Sequence, residues 1–174
     1  MKNKKIILFI LTFFFIFCFF VLFKGLKNSN IYIPKSISEK PLVNFSAQNL
    51  YSGEKINSDD IFTNAEFYVL NIWASWCLPC RQEHSILMQI NKKPSIKIIG
   101  LNYKDKSLNA KNFINKFGNP YSLIVADNNG VVAIQLGAYG VPETYIINKE
   151  KKIIKKYIGP LDQKSLKEIN LILK

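Results

Sequence analysis

Two cysteines separated by two residues, in Trp76-Cys77-Leu78-Pro79-Cys80, stand between segments of different periodicity. Before them runs Phe67-Tyr68-Val69-Leu70-Asn71-Ile72-Trp73, nearly all apolar, the pattern of a strand buried on both faces. After them, Arg81 to Lys93 carries apolar residues at helical spacing and stops before Pro94, so a helix over 77–93 is predicted. Strand, turn, Cys-x-x-Cys and helix together form the arrangement that thiol–disulfide exchange needs. A helix start supplies unpaired N–H groups and a positive dipole end, which stabilise a thiolate. A gap of two residues lets the second sulfur reach back and resolve a mixed disulfide. Cys77, nearest the helix start, is the expected nucleophile. Cys80, one turn deeper, is the expected resolving thiol. Pro79 suits the first helical turn, where a missing N–H costs little.

Other uses of the pair fit less well. A bridge over two intervening residues closes too short a loop to stabilise a fold by much. A disulfide-stapled secreted domain would carry more cysteines than the two outside the N-terminal apolar run. A structural zinc wants four ligands, and only His84 is near enough in sequence to add a third.

Glu83 shares a helical face with Ile86, Leu87 and Ile90, the face expected to enter the core. A carboxylate there would have a raised pKa and could take the proton of Cys80 one turn away. Equally, it could be a first-turn acid that complements the helix dipole. His84, the sole histidine, is expected at a partly exposed surface position. Gly140-Val141-Pro142-Glu143-Thr144 opens a later strand. X-Pro is the bond that readily becomes cis, although an ordinary trans turn proline is the commoner state. A cis Pro142 opposite the cysteines would leave the backbone of Val141 free to pair with an extended substrate. Glu143 would then be a second acid near the disulfide. Trp73 is expected in the core and Trp76 at the rim of the site.

Residues 6–23 carry no charge over 18 positions, about 27 Å of helix against a hydrocarbon core of roughly 30 Å. Lys2, Lys4 and Lys5 precede the run and Lys24 and Lys27 follow it, which favours an inside N-terminus with the remaining chain outside the cytoplasm. No A-x-A-like cleavage site follows, so an uncleaved anchor is expected. Cys18, inside the run, is expected to be an apolar membrane residue. The organisation is therefore an anchor over 1–27, a linker over 28–40 and one domain over 41–174. Net charge is +12, and without the five flanking lysines 19 basic residues face 12 acidic ones, a balance of +7. The lysines are scattered, with no basic helix or aromatic platform, which argues against nucleic-acid binding. Lys151-Lys152 and Lys155-Lys156 bracket Ile153-Ile154 as a solvated hairpin edge guarded by charge.

The pattern predicts an N-terminal hairpin within 41–61, strands over 66–73, 95–103 and 121–126, and a helix with Leu108, Phe113, Ile114 and Phe117 on its apolar face. A short helix over 131–136, a closing hairpin (144–147 with 153–158) and a last helix over 161–173 follow. Strands alternating with helices imply an α/β domain whose central sheet is covered on both faces and made mixed by the closing hairpin.

Taken together, NIWASWCLPCRQEH, GLNYKD, FGNPYSLIVAD, LGAYGVPETYIIN and YIGPLD resemble the thioredoxin superfamily, and within it the membrane-anchored DsbE/CcmG proteins of cytochrome c maturation. The resemblance spans roughly residues 41–174. It implies a thioredoxin-like fold with an insertion around 107–126, a cis Pro142, and acidic roles for Glu83 and Glu143. It implies a monomeric protein of the bacterial inner membrane, single-pass, with its domain in the periplasm. No cofactor is implied beyond a redox-active Cys77–Cys80 disulfide. The implied task is reduction of disulfides of apocytochrome c or of heme-ligation proteins, with electrons from a DsbD- or CcdA-like membrane protein. Trp76, Val141 and Pro142 are the implied substrate-binding residues. The chain departs from the family at Leu78-Pro79, where Pro-Thr is frequent. The competing readings are a general disulfide oxidant or isomerase on the same fold, and a Cu(I) chaperone using Cys77, Cys80 and a histidine.

Overall fold

A computed structural model describes residues 2–27 and 40–173 of the chain. The chain divides into two compact units, 1–34 and 35–174. The first contains helix α1 (Lys2–Lys27), whose stretch Lys4–Lys24 is long and apolar enough to cross a membrane. Of the expected linker, 28–39 lies outside the described residues. Lys40 opens strand β1 instead, opposite Ile153.

The second unit is built on one eight-stranded sheet. Its strands are β1 (Lys40–Pro41), β2 (Ser46–Asn49), β3 (Lys55–Asn57), β4 (Phe67–Trp73), β5 (Ile96–Tyr103), β6 (Leu123–Asp127), β7 (Glu143–Asn148) and β8 (Lys152–Ile158). Their spatial order is β1-β8-β7-β4-β5-β6-β2-β3. β4 lies mid-sheet, parallel to β5 and antiparallel to β7, and β5 runs parallel to β6. The helices are α2 (Ser58–Ile61), α3 (Leu78–Ile90), α4 (Ser107–Phe117), α5 (Val131–Gln135) and α6 (Gln163–Ile172).

Side-chain alternation along β4 splits the interior into two cores. Val69 and Trp73 join Ile86, Leu87 and Ile90 of α3, Phe113 and Ile114 of α4, and Leu166 and Ile169 of α6. Tyr68, Leu70 and Ile72 face Ile61 of α2, and Val132 and Ala133 of α5. This two-sided burial is why β4 is apolar at nearly every position. Asn71 is its polar exception, fully buried on the side of α3.

Three local expectations are corrected. Leu108 is exposed, because α4 turns Ala110, Phe113 and Ile114 inward instead. Helix α3 ends at Ile90, where Asn91 to Lys93 form a turn. The Lys151–Lys156 stretch is not a solvated edge: β1 pairs with β8, and Lys156 is buried.

Gly100 on β5 marks a close approach. A Cβ built there would meet the Trp73 indole nitrogen at 2.9 Å and the Tyr121 ring at 3.0 Å. The two rings stack 5.4 Å apart over this bare stretch of backbone.

Candidate active site around Cys77 and Cys80

Strand β4 ends at Trp73, and a short turn delivers Cys77 to the N-cap of α3. Two bonds to one carboxylate hold that turn: the Ser75 N–H and hydroxyl donate to Asp105 at 2.6 and 2.9 Å. The Trp76 indole N–H donates to the carbonyl of Lys104 at 3.1 Å, while the ring stays exposed. The NYKD segment at the end of β5 thus braces the loop in front of the cysteines. Cys77 and Cys80 form a disulfide with Cα atoms 5.3 Å apart, and the Cys80 N–H points at Cys77 Sγ at 3.1 Å. Such a donor is placed to stabilise a thiolate on Cys77 once the bond is reduced. Both cysteines are buried members of the α3-side core, and the chain neighbours of Cys77, Trp76 and Leu78, are exposed.

Glu83 follows Cys80 by one helical turn and is fully buried. Its two oxygens accept from Asn71 Nδ2 at 2.8 Å and from the Leu161 N–H at 2.8 Å. Burial raises its pKa to about 7, against the smaller opposing pull of the Leu161 and Asn71 hydrogen bonds. An acid titrating near neutrality beside a buried thiol can exchange protons with it in either direction.

A stability consequence follows. The folded value lies above the ordinary carboxyl value of 4.5, so folding favours the neutral acid. Its contribution is fully present below about 4.5 and is lost as pH rises through about 7. We expect this group to cost the wild type about 3 kcal/mol of unfolding free energy across that window. Glu83→Gln removes the slope. Denaturant unfolding from pH 4 to pH 8 checks it, and parallel curves for the two proteins would refute a buried, titrating Glu83.

The remaining expected residues divide. Pro142 is buried and the Val141–Pro142 peptide is cis. Val141 is half-buried and packs on the core that contains both cysteines. Glu143 is not a second acid beside the disulfide. Thr144 points to the face of Asn71, so its neighbour Glu143 points to the other face, with Tyr145. There Glu143 pairs with Lys156 at 2.8 Å and accepts from the N–H groups of Tyr139 and Gly140. His84 is buried, not partly exposed, because α4 closes over it. Phe113 and Phe117 meet its ring edge-on and Nε2 lies 3.0 Å from the Gly118 carbonyl. Burial lowers its pKa, partly offset by the carbonyls of Gly118 and Phe117. Among the described residues no group of three or more His, Cys, Asp or Glu is placed to hold a metal ion.

Sequence reasoning missed Asn71, Tyr121, Thr144 and Asp105. Asn71 left a signal, being the one amide in an apolar strand. The others are brought to the site by tertiary contacts.

A Redoxin family model matches residues 38–172. The chain belongs to the Redoxin family, among the DsbE-like proteins of the thioredoxin superfamily. It is 36% identical over 142 residues to the thiol:disulfide interchange protein DsbE of Allochromatium vinosum, covering 82% of this chain and 78% of that one. With DsbE of Escherichia coli K12 the identity is 34% over 129 residues, covering 74% and 69%. A secreted disulfide oxidoreductase of Mycobacterium tuberculosis shares the fold at a TM-score of 0.63 and 19% identity, covering 74% and 93%. The thioredoxin-like fold expected from the sequence is the fold found, and this DsbE-like chain is a thiol–disulfide oxidoreductase.

Proposed function

We propose that this DsbE-like chain is a membrane-anchored periplasmic reductase, single-pass in the bacterial inner membrane. Its substrates are disulfides of apocytochrome c or of heme-ligation proteins, and a DsbD- or CcdA-like membrane protein supplies its electrons. The observation that carries the dithiol mechanism is Glu83, a buried acid one turn past Cys80, while the reductive direction rests on the resemblance to DsbE/CcmG proteins. A base at that place serves the step in which Cys80 becomes a nucleophile, which is the step that completes substrate reduction. The Lys4–Lys24 stretch of α1 supports the anchor, and the resemblance to DsbE/CcmG proteins supports the choice of substrate.

In the reduced enzyme the Cys77 thiolate attacks one sulfur of a substrate disulfide. A Cys77–substrate S–S bond forms, the substrate bond breaks, and the other substrate sulfur leaves as a thiolate that takes a proton from water. Cys80 then gives its proton to the Glu83 carboxylate and attacks Cys77 Sγ. The Cys77–Cys80 bond forms and the second substrate sulfur leaves, taking back a proton. Two electrons have passed to the substrate, and an external dithiol must return them. The pair is its own redox centre and works without a bound cofactor. Trp76 rims the approach, and the Val141 backbone beside Pro142 pairs with the extended substrate.

The test is a trap in the native host. The anchored Cys80→Ser protein should hold a short set of partners on Cys77, dominated by apocytochrome c or heme-ligation proteins. A broad spread of unrelated exported proteins would replace this reading with that of a general oxidant or isomerase.

A further inference from the structure

The acid at the resolving cysteine is held by an amide whose orientation is set from elsewhere in the chain. Asn71 Nδ2 donates to Glu83 at 2.8 Å and to the Thr144 hydroxyl at 3.0 Å. Its oxygen, Oδ1, accepts from the Tyr121 hydroxyl at 2.9 Å. An ionised carboxylate can only accept, so it tolerates the N–H₂ end of the amide and repels the oxygen end. A hydroxyl committed to Oδ1 therefore locks the amide the right way round for a charged Glu83. We propose that Tyr121, supplied by the segment between α4 and β6, is a positioning residue that orients Asn71 to donate to Glu83 and so poises Glu83 to accept the proton of Cys80. The inference rests on the role given to Glu83 above.

The fold is built to deliver this hydroxyl. Tyr121 stacks on Trp73 and lies across Gly100, where its ring occupies the space of a Cβ. Its own N–H is fixed by Asn119 Oδ1 at 3.0 Å, just past the end of α4. Burial, with the Glu83 charge adding to it, holds the phenol well above its usual pKa, so it stays a neutral donor throughout the working range. The surrounding elements offer no competing charge among the described residues. Strand β7 presents Thr144, the segment before α6 presents the Leu161 N–H, and α3 presents Cys80 and His84, the latter turned toward Gly118. Strand β8 and helix α6 carry Lys155 and Glu168, part-exposed and paired with each other at 2.7 Å beside Tyr157.

Without the hydroxyl, the Asn71 amide is free to turn over. Its oxygen then faces Glu83 and Thr144, both able to donate once Glu83 is protonated. The turned state favours the neutral acid, so removing the Tyr121 hydroxyl must raise the titration midpoint of Glu83.

The experiment is a titration of the Glu83 carboxyl carbon by NMR, on the full chain in detergent micelles, for the wild type and Tyr121→Phe. Phenylalanine keeps the stack on Trp73. The expected result is an upward shift of about half a pH unit or more in the variant, a modest change for a buried acid that loses its orienting donor. An unmoved or lowered midpoint overturns the proposal, even if the variant melts at a lower temperature, because a packing role alone would do that. Should Tyr121→Phe fail to fold, the wild type decides: the Asn71 side-chain amide and the Tyr121 Cζ signals should titrate with the Glu83 midpoint, and flat signals overturn it. The pH–rate profile of Glu83→Gln keeps the two claims apart. A profile identical to the wild type would remove Glu83 as proton acceptor while leaving the Tyr121 effect on its midpoint to stand or fall by itself.

Discussion

Cys77→Ser should reduce thiol exchange to the buffer background, whereas Cys80→Ser should still attack and then stall as a mixed disulfide. The asymmetry follows from position. Cys77 caps α3, where the N–H of Cys80 and the helix dipole favour a thiolate, and it lies beside exposed Trp76 and Leu78. Cys80 sits a turn further into the helix and is placed to reach a sulfur already bound to Cys77. Both variants are incubated with a disulfide-bonded peptide and read by mass spectrometry under non-reducing conditions. Equal loss of the peptide adduct in the two would reverse or erase the assignment of roles.

Lys156→Met should destabilise the domain by about 3–5 kcal/mol, the usual cost of leaving a buried charge without its partner. Lys156 and Glu143 have side chains only 3% and 1% exposed, and their charged atoms are 2.8 Å apart. The ammonium also donates to the Gly137 carbonyl at 2.8 Å and lies over the rings of Tyr139 and Tyr145. Removing it strands the Glu143 carboxylate in that core, with only N–H and hydroxyl donors left. The double variant Glu143→Gln/Lys156→Met should recover much of the loss, because no unpaired charge remains. Denaturant unfolding of the two variants measures it. A single-variant loss below about 1 kcal/mol, the size of an ordinary surface pair, would show that the pair is not desolvated in solution.

Part of this was legible from residue order. The run 67–73 reads as a strand buried on both faces, and Cys77 reads as lying at the start of the helix that follows it, since both features depend on near neighbours. Glu83 was legible as a core-facing acid from its spacing to Ile86, Leu87 and Ile90. What held it was not. Its partners Asn71 and Leu161 lie 12 and 78 residues away, and Thr144 is 73 residues from Asn71.

The misplacements of His84, Lys156 and Glu143 have one cause. His84 was expected near the surface because its own helix says nothing of α4, which covers it. Lys156 looked solvated and Glu143 looked like an active-site acid because each was weighed by charge and neighbours in sequence. Which face of a strand a side chain takes depends on register, and a shift of one residue reverses every face. The pairing of Glu143 with Ile158 and of Tyr145 with Lys156 sends Glu143 and Lys156 to the core opposite Glu83.

The sequence by itself therefore determined the apolar N-terminal helix, the alternation of strands and helices, and a nucleophile at a helix start with an acid one turn beyond it. These are local properties, set by periodicity and by the geometry of one helix end. Only the tertiary structure decided that Glu83 is raised toward neutrality, that Asn71 and Tyr121 hold it, and that Glu143 serves a buried ion pair. Those outcomes depend on desolvation and hydrogen bonding between segments far apart in the chain, which exist only once the sheet has assembled.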